Sequence, residues 1–312
     1  MTNLTVQITL GIDVSKDELV SFCWESEERD EIPNQPKTIG TWLKSLAGPV
    51  RIAIEPTSSY HLEFIDQAHA LGFEVYVVNA RQLRHYREAV NLRNKTDADD
   101  AWLLARYLTH EVGELRRYTP LKGQARTLWT LLKRRATVVE ARKSLQQSLA
   151  EVKLSNKALF TQFKMLLMRI DKRIKTLILQ LGWSDDYRYC RSIPGVGHLN
   201  AAALVCAFHR GVFAGCDAFI AFIGMDIRVR ESGTYKGKRR LTKRGESEIR
   251  RLLYCAAQPA RSEPRFDRYY QSQLDKGLSK TAAKVILARK IARIAFALMT
   301  KQQPFKKSET AY

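Results

Sequence analysis

The sequence has no apolar run approaching the roughly 20 residues that a membrane-spanning helix needs. Its start, Met1-Thr2-Asn3-Leu4, lacks the basic opening of a signal peptide. There is no Cys-x-x-Cys pair either. The five cysteines (Cys23, Cys190, Cys206, Cys216 and Cys255) are scattered and odd in number, which argues against a disulfide framework and points to reduced thiols in a cytoplasmic protein. No histidine cluster has zinc spacing. Acid is scarce: 32 Asp and Glu against 52 Lys and Arg leave a net charge of +20. An excess of this size favours a polyanionic partner, and without a membrane segment that partner is nucleic acid. The 312 residues leave room for two or three domains with a real core.

Residues 5–116 alternate strand and helix patterns. Runs at 6–12 and 18–24 read as strands joined by the polar link Asp13-Val14-Ser15-Lys16-Asp17. A third extended segment is expected near Ile32–Ile39, a helix over Gly40–Leu46, and a short buried strand at 50–54. Leu62, Ile65, Ala68 and Leu71 predict a helix over 60–71 that stops at Gly72. A strand at Phe73–Val78, a helix near 80–89 and a helix from Asp97 complete the order βββαβαβα, which is that of the ribonuclease-H-like fold. Between about 120 and 182 the period becomes heptad. Leu131, Val138, Leu145 and Val152 recur every seven residues, and Phe163, Leu167, Ile170, Ile174, Leu177 and Leu181 alternate spacings of four and three. This predicts a coiled-coil arm, broken at 153–157 and folded as a hairpin or used for dimerisation. The expected domains are therefore 1–119, 120–185 and 186–312. The last is expected to be mainly helical, with helices at Asn200–Phe208, 217–223, 246–258 and 281–300 around a basic loop at 228–245.

Four carboxylates fall where such a fold would gather them. Asp13 and Glu55 end apolar runs, and Asp97 and Asp100 share one face of a helix start. Hard divalent cations prefer carboxylate oxygens, and a pair of them can clamp both oxygens of an in-line phosphoryl transfer. Each acid alone is unremarkable: strand ends carry surface acids, and a first helical turn favours Asp through the macrodipole. The set in this order favours a metal site, with Asp99 solvated.

Two further segments suit phosphates. Ile193-Pro194-Gly195-Val196-Gly197 before an apolar helix resembles a helix-hairpin-helix turn, in which Gly195 and Gly197 expose backbone N–H groups. An ordinary Pro-Gly turn is the equal alternative. The stretch 228–245 carries Arg228, Arg230, Lys236, Lys238, Arg239, Arg240, Lys243 and Arg244 among glycines, and Lys95 precedes the acid helix. Such a strip suits sugar-phosphate contacts. Ser232, before Gly233, reads from physics alone as a turn serine, since a nucleophilic serine needs a base or metal.

Gly11-Ile12-Asp13-Val14-Ser15-Lys16, Ile54-Glu55-Pro56-Thr57-Ser58-Ser59-Tyr60 and Leu92-Arg93-Asn94-Lys95-Thr96-Asp97-Ala98-Asp99-Asp100-Ala101 resemble the three acidic motifs of the DEDD insertion-sequence transposases. That family includes bridge-RNA-guided recombinases and pilin-gene invertases. Ser192-Ile193-Pro194-Gly195-Val196-Gly197, Glu231-Ser232-Gly233, Ile249-Arg250-Arg251-Leu252-Leu253-Tyr254 and Pro304-Phe305 are similar to its C-terminal domain. The resemblance implies a RuvC-like N-terminal domain, a coiled-coil insertion and a C-terminal transposase domain. It assigns Asp13, Glu55, Asp97 and Asp100 to Mg2+ or Mn2+, and Ser232 to a phosphoserine linkage with DNA. It also implies a non-coding guide RNA that pairs with donor and target DNA, and a homodimer or homotetramer with active sites shared between subunits. One departure is the lack of proline in Gly224-Met225-Asp226-Ile227-Arg228, so the loop need not follow the family's path there, and Asp226 is not counted among the site residues. Two other classes fit the same residues. One is a RuvC-like structure-selective nuclease that activates water. The other is a nucleic-acid-binding protein whose acids are structural.

Overall fold

Residues 7–94, 96–121, 123–152, 156–229, 231–237 and 239–306 are described by a computed structural model. The chain divides into two compact units, Met1–Pro120 and Leu121–Tyr312.

The first unit runs β1 (Ile8–Val14), β2 (Glu18–Cys23), β3 (Arg29–Pro33), α1 (Pro36–Ser45), β4 (Val50–Ile54), α2 (Leu62–Ala70), β5 (Glu74–Val77), α3 (Ala80–Ala89) and α4 (Asp97–Glu111). Its five strands form one mixed sheet in the order β3-β2-β1-β4-β5. β1 pairs antiparallel with β2 and parallel with β4, while β4 pairs parallel with β5. This topology is consistent with the RuvC-like expectation. β1 alternates across the pleat: Leu10, Ile12 and Val14 pack with Ile39 and Leu43 of α1 and with Phe64, Ile65 and Ala68 of α2. Gly11 and Asp13 therefore face the opposite layer. In β4, Ile52 and Ile54 join the same α1/α2 layer, whereas Ala53 packs among Leu103, Leu104 and Leu108 of α4. A strand flanked by parallel neighbours is covered on both faces, which is why 50–54 reads as an unbroken apolar run.

The third strand lies earlier than its sequence pattern suggested. It covers Arg29–Pro33, and Ile39 belongs to α1. Pro36 at the helix start fixes the backbone for α1, whose buried Ile39 and Leu43 stand four residues apart. A strand reading through 36–39 overlooked that start signal.

The second unit begins with α5 (Gly123–Ser148) and α6 (Lys157–Gln180), which pack on each other. They are tied by Arg135, which donates to both carboxylate oxygens of Asp171. Leu128, Trp129 and Leu132 of α5 and Ile170, Ile174, Leu177 and Ile178 of α6 enter the same core as the helices that follow. Of the heptad positions, Leu131 and Val138 pack against that core, while Leu145 and Val152 are exposed. The chain continues through α7 (Ser184–Ser192), α8 (His198–Phe208), α9 (Cys216–Phe222), the short strands β6 (Ile227–Arg228), β7 (Glu231–Ser232), β8 (Tyr235–Lys236) and β9 (Arg240–Leu241), then α10 (Ser247–Ala260), α11 (Pro264–Asp275) and α12 (Lys280–Lys301). The small-residue helix α8, with Asn200–Ala207 wholly buried, stands at the centre of this bundle. α7 and α11 escaped the sequence reading because each buries few side chains: Asp186 and Cys190 in α7, and Phe266, Tyr270 and Gln273 in α11. The C-terminal Phe305 is pinned across the bundle. Its N–H donates to Ser192 Oγ at 2.7 Å, and its ring lies 5.5 Å from that of Phe266.

No helix among the described residues is long and apolar enough to cross a membrane. All five cysteines are free thiols. Burial raises the pKa of Cys190 far above the thiol range. Burial likewise pushes Cys206 up to about 12, with Arg210 opposing and Glu246 reinforcing the shift. A raised thiol pKa removes thiolate at every pH below it, and thiolate is the reactive form. Iodoacetamide at pH 8 is therefore expected to label the exposed Cys255 and to leave Cys190 and Cys206 intact in the folded protein. Peptide mass mapping reads this directly, and labelling of Cys206 at the rate of Cys255 would refute the packing described for α8.

Candidate functional site

The N-terminal unit concentrates its acids at one end of one sheet face. Asp13 lies two residues beyond Gly11 on β1, and Glu55 directly follows β4, two residues beyond Ala53. The parallel register sets Gly11 beside Ala53 and Ile12 beside Ile54, so Asp13 and Glu55 continue adjacent strands on the face that α4 covers. α4 lies directly on β1 at Gly11. A Cβ there would overlap the Ala101 carbonyl oxygen and the Ala105 amide nitrogen. The helix runs antiparallel to β1. Trp24, whose N–H bonds to Thr9 O at the start of β1, meets His110 in the last turn of α4. The first turn, with Asp97 and Asp100, therefore lies toward the Asp13 end.

That first turn is held by a reciprocal cap. Asp99 N–H donates to Thr96 Oγ1 at 3.1 Å, and the Thr96 hydroxyl donates to Asp99 Oδ2 at 2.8 Å. Asp99 is thus a capping residue and not the solvated acid expected from sequence. Asp97 is exposed. Asp100 is largely buried and forms an ion pair with Arg87 of α3. Arg87 also donates to the Asn94 carbonyl at 2.6 Å, holding residues 90–94 onto α3. A cationic side chain thus already stands at one expected metal-ligand carboxylate. Among the described residues, no three His, Cys, Asp or Glu side chains are grouped closely enough to hold a metal ion. Asp13, Glu55, Asp97 and Asp100 share one end of one layer and supply only oxygen donors, which suits a hard divalent cation. They do not form a closed cluster.

The second unit carries the serine. The segment 228–245, expected as a loop, is a two-stranded ribbon. Ile227 and Arg228 pair with Leu241 and Arg240, and Glu231 and Ser232 pair with Lys236 and Tyr235. The tip is a two-residue turn, Gly233-Thr234, with Gly233 at φ +54°. Turns of this kind match the twist of paired strands when the first residue adopts a positive φ. Ser232 is the last paired residue before the turn and is exposed. Alternating cations left little period-2 signal, so the sequence did not reveal the pairing.

The ribbon's base is tightly specified. Gly224 and Gly245 cross so closely that a Cβ on Gly224 would lie 2.7 Å from the Gly245 nitrogen, and one on Gly245 would lie 2.5 Å from the Phe222 oxygen. Thr242 N–H donates to the Asp226 carbonyl at 3.0 Å, and the Thr242 hydroxyl bonds to the Asp226 carboxylate. Asp226 is therefore the clasp of the ribbon's base. Arg250 donates to the Gly245 carbonyl; burial lowers its pKa and Glu246 opposes that shift. Arg228, Arg239, Arg240, Lys243 and Arg244 are all exposed along the ribbon and its return. Lys95, Arg230 and Lys238 lie outside the described residues, and only the backbone of Lys236 is described.

Packing by itself requires a glycine at 195. It sits at φ +80° between α7 and α8, and a Cβ there would be 2.5 Å from the Ala256 oxygen and the Ala260 nitrogen of α10. Its bareness lets two backbones meet. Gly197 is the N-cap of α8 and has open space at its Cβ position, so it keeps a backbone N–H end of the kind anions favour.

Comparison with known proteins identifies the class. Residues 10–153 match a DEDD-type family model described as a transposase, so the acid-bearing unit and the start of the helical pair belong to a DNA transposase. Residues 187–271, including the ribbon, match the transposase model of the IS116/IS110/IS902 family. The two matches together span more than two thirds of the sequence, and the chain belongs to this family of insertion-sequence transposases. The pilin gene-inverting proteins of Moraxella lacunata and Moraxella bovis are each 24% identical to it over 270 residues, covering 83% of this chain and 82% of theirs. DNA is the substrate of such an enzyme, and the family works with a divalent metal.

Proposed function

We propose that this transposase cuts and rejoins DNA through a covalent bond between Ser232 and a backbone phosphate. The observation that carries this reading is the position of Ser232 at the exposed tip of a cationic ribbon with a specified base. Arg228, Arg239 and Arg240 bring the strand's phosphates to the ribbon, a contact independent of sequence. The Ser232 Oγ attacks phosphorus and loses its proton. The bond from phosphorus to one sugar oxygen breaks, and the departing oxygen takes up a proton as a free hydroxyl. A hydroxyl from an exchanged strand then attacks the phosphoserine and regenerates Ser232, so the phosphodiester count is unchanged and no ATP is required.

Asp13, Glu55, Asp97 and Asp100 would hold Mg2+ or Mn2+, with Asp100 first leaving Arg87. Bound there, the metal would polarise the scissile phosphate. Site choice would come from a non-coding RNA paired to donor and target DNA, leaving the protein to read backbone shape. The working unit would be a dimer or tetramer.

The test is a trapping assay. Protein, labelled donor and target DNA, RNA transcribed from the flank of the protein's own element and Mg2+ are incubated and run on a denaturing gel beside Ser232→Ala. A protein-linked DNA band that needs both the serine and the metal is expected. Free nicked DNA produced equally by Ser232→Ala would establish hydrolysis by activated water and remove the serine from the reaction.

A further inference from the structure

The N-terminal unit has a second feature, where α4 meets the turn between β2 and β3. Phe22, Trp24, Glu27, Arg29 and Trp102 line an open cleft of about 330 Å³. Its aromatic groups come from two elements. Trp24 follows β2, and Trp102 stands on the first half of α4, with ring centroids 6.5 Å apart and planes at 43°. Trp24 is also braced edge-on by His110 at 5.9 Å. Cations flank the rings. The Arg29 guanidinium lies 5.6 Å from the centroid of Phe22, and that of Arg106 lies 5.6 Å from Trp102. Arg106 Nε is buried without a hydrogen-bond partner. The fourth ingredient is acidic. Glu27, exposed in the tight turn between β2 and β3 at φ +58°, places one carboxylate on the rim.

Tryptophans that serve only the core are covered, yet both of these remain partly exposed. A water-exposed aromatic cleft with guanidinium groups on both sides is the arrangement single strands use, with bases on rings and phosphates on cations. Arg29 and Arg106 supply the positive charge at the rings, against the carboxylates of Glu25, Glu27 and Glu28 in the adjoining turn. The Glu27 carboxylate then chooses among bases. Guanine presents two adjacent N–H donors on its Watson–Crick edge, which a carboxylate accepts, whereas adenine presents an amino group beside an acceptor that the carboxylate repels. We propose that this cleft binds an unpaired guanine of a single-stranded nucleic acid. The guanine stacks on Trp24 against Trp102, its edge faces Glu27, and its phosphates lie toward Arg29. Trp102 stands about half a turn around α4 from Asp100, so the base lies on another face of the helix from the carboxylates and belongs to a strand that is tethered rather than cut. Neither Ser232 nor the metal ligands enter the proposal.

The experiment uses the full chain, without metal, and hexanucleotide strands that carry one guanine, one adenine or no base among otherwise abasic units. Fluorescence anisotropy gives the three affinities for wild type, Trp24→Leu and Glu27→Ala. Stacking of one base contributes about 1–3 kcal/mol, so the guanine strand should bind wild type at least about fivefold more tightly than the abasic strand. Adenine should lie between the two. Trp24→Leu, which keeps an apolar side chain against Trp102, should collapse the three affinities toward the abasic value. Glu27→Ala, a change at an exposed position, should level guanine with adenine and leave both above the abasic strand. Equal binding of all three strands by wild type would overturn the proposal and leave the cleft to a protein segment. A guanine advantage that survives both substitutions would place the base elsewhere and overturn it equally.

Discussion

Gly11→Ala is expected to be among the most damaging single substitutions in the N-terminal unit, lowering its stability by upwards of about 3 kcal/mol. The reason is geometric. α4 approaches β1 so closely at this residue that an added methyl would overlap two backbone groups of the helix, Ala101 O and Ala105 N. Neither can retreat alone, because each belongs to a continuous helical ladder. Ala101 and Ala105 are fully buried beside Val20 and Phe22, so shifting α4 would also open that layer. The expected result is a lower urea midpoint, with faster amide exchange in both β1 and α4. Wild-type midpoint and exchange would contradict the close approach. A further consequence concerns the site. The first turn of α4 carries Asp97 and Asp100, so moving the helix off β1 moves those carboxylates away from Asp13 and Glu55. Gly11, which touches no substrate, would then be needed for activity through position alone.

This coupling explains which parts of the molecule could be read from sequence. Each of the strands 50–54 and 73–78 and the helices at 60–71 and 80–89 has one dominant signal: an unbroken apolar run, a helical period or a glycine stop. Asp13, Glu55 and the 97–100 turn were legible because they sit at ends of such elements. Three features went unread. The expectation of a solvated Asp99 overlooked that Thr96-Asp97-Ala98-Asp99 has the spacing of a capping box. Arg87 gave no hint of its ion pair to Asp100, since its place on α3 looks like an ordinary exposed face until α3 and α4 are packed. The ribbon at 227–241 appeared as loop because its pairing depends on Gly224 crossing Gly245 and on the turn at Gly233-Thr234. Gly195 shows the converse. Its motif was visible, but the backbone of α10 explains the glycine, and a phosphate is not needed to account for it.

Asp13→Asn is expected to reduce DNA cleavage by about three orders of magnitude, which corresponds to roughly 4 kcal/mol of lost transition-state stabilisation. The neutral amide keeps the shape of the side chain and one acceptor oxygen, so the sheet should fold as before. It removes one negative charge from the end of β1, where Glu55 and the first turn of α4 supply the others. Two binding measurements distinguish this loss from a structural one. Mn2+ should raise the melting temperature of wild type by mass action on the folded state, and Asp13→Asn should lose most of that shift. Duplex affinity should stay the same or rise slightly, with an unchanged dependence on salt, because the phosphate-binding cations lie elsewhere in the sequence. The combination of lost cleavage, lost metal stabilisation and retained DNA affinity is what a metal-holding carboxylate produces. Wild-type cleavage by Asp13→Asn would remove this acid from the reaction and leave its position beside Glu55 a matter of fold alone. If instead the metal shift survives while cleavage is lost, Asp13 acts on DNA directly and the ion is held by the remaining acids.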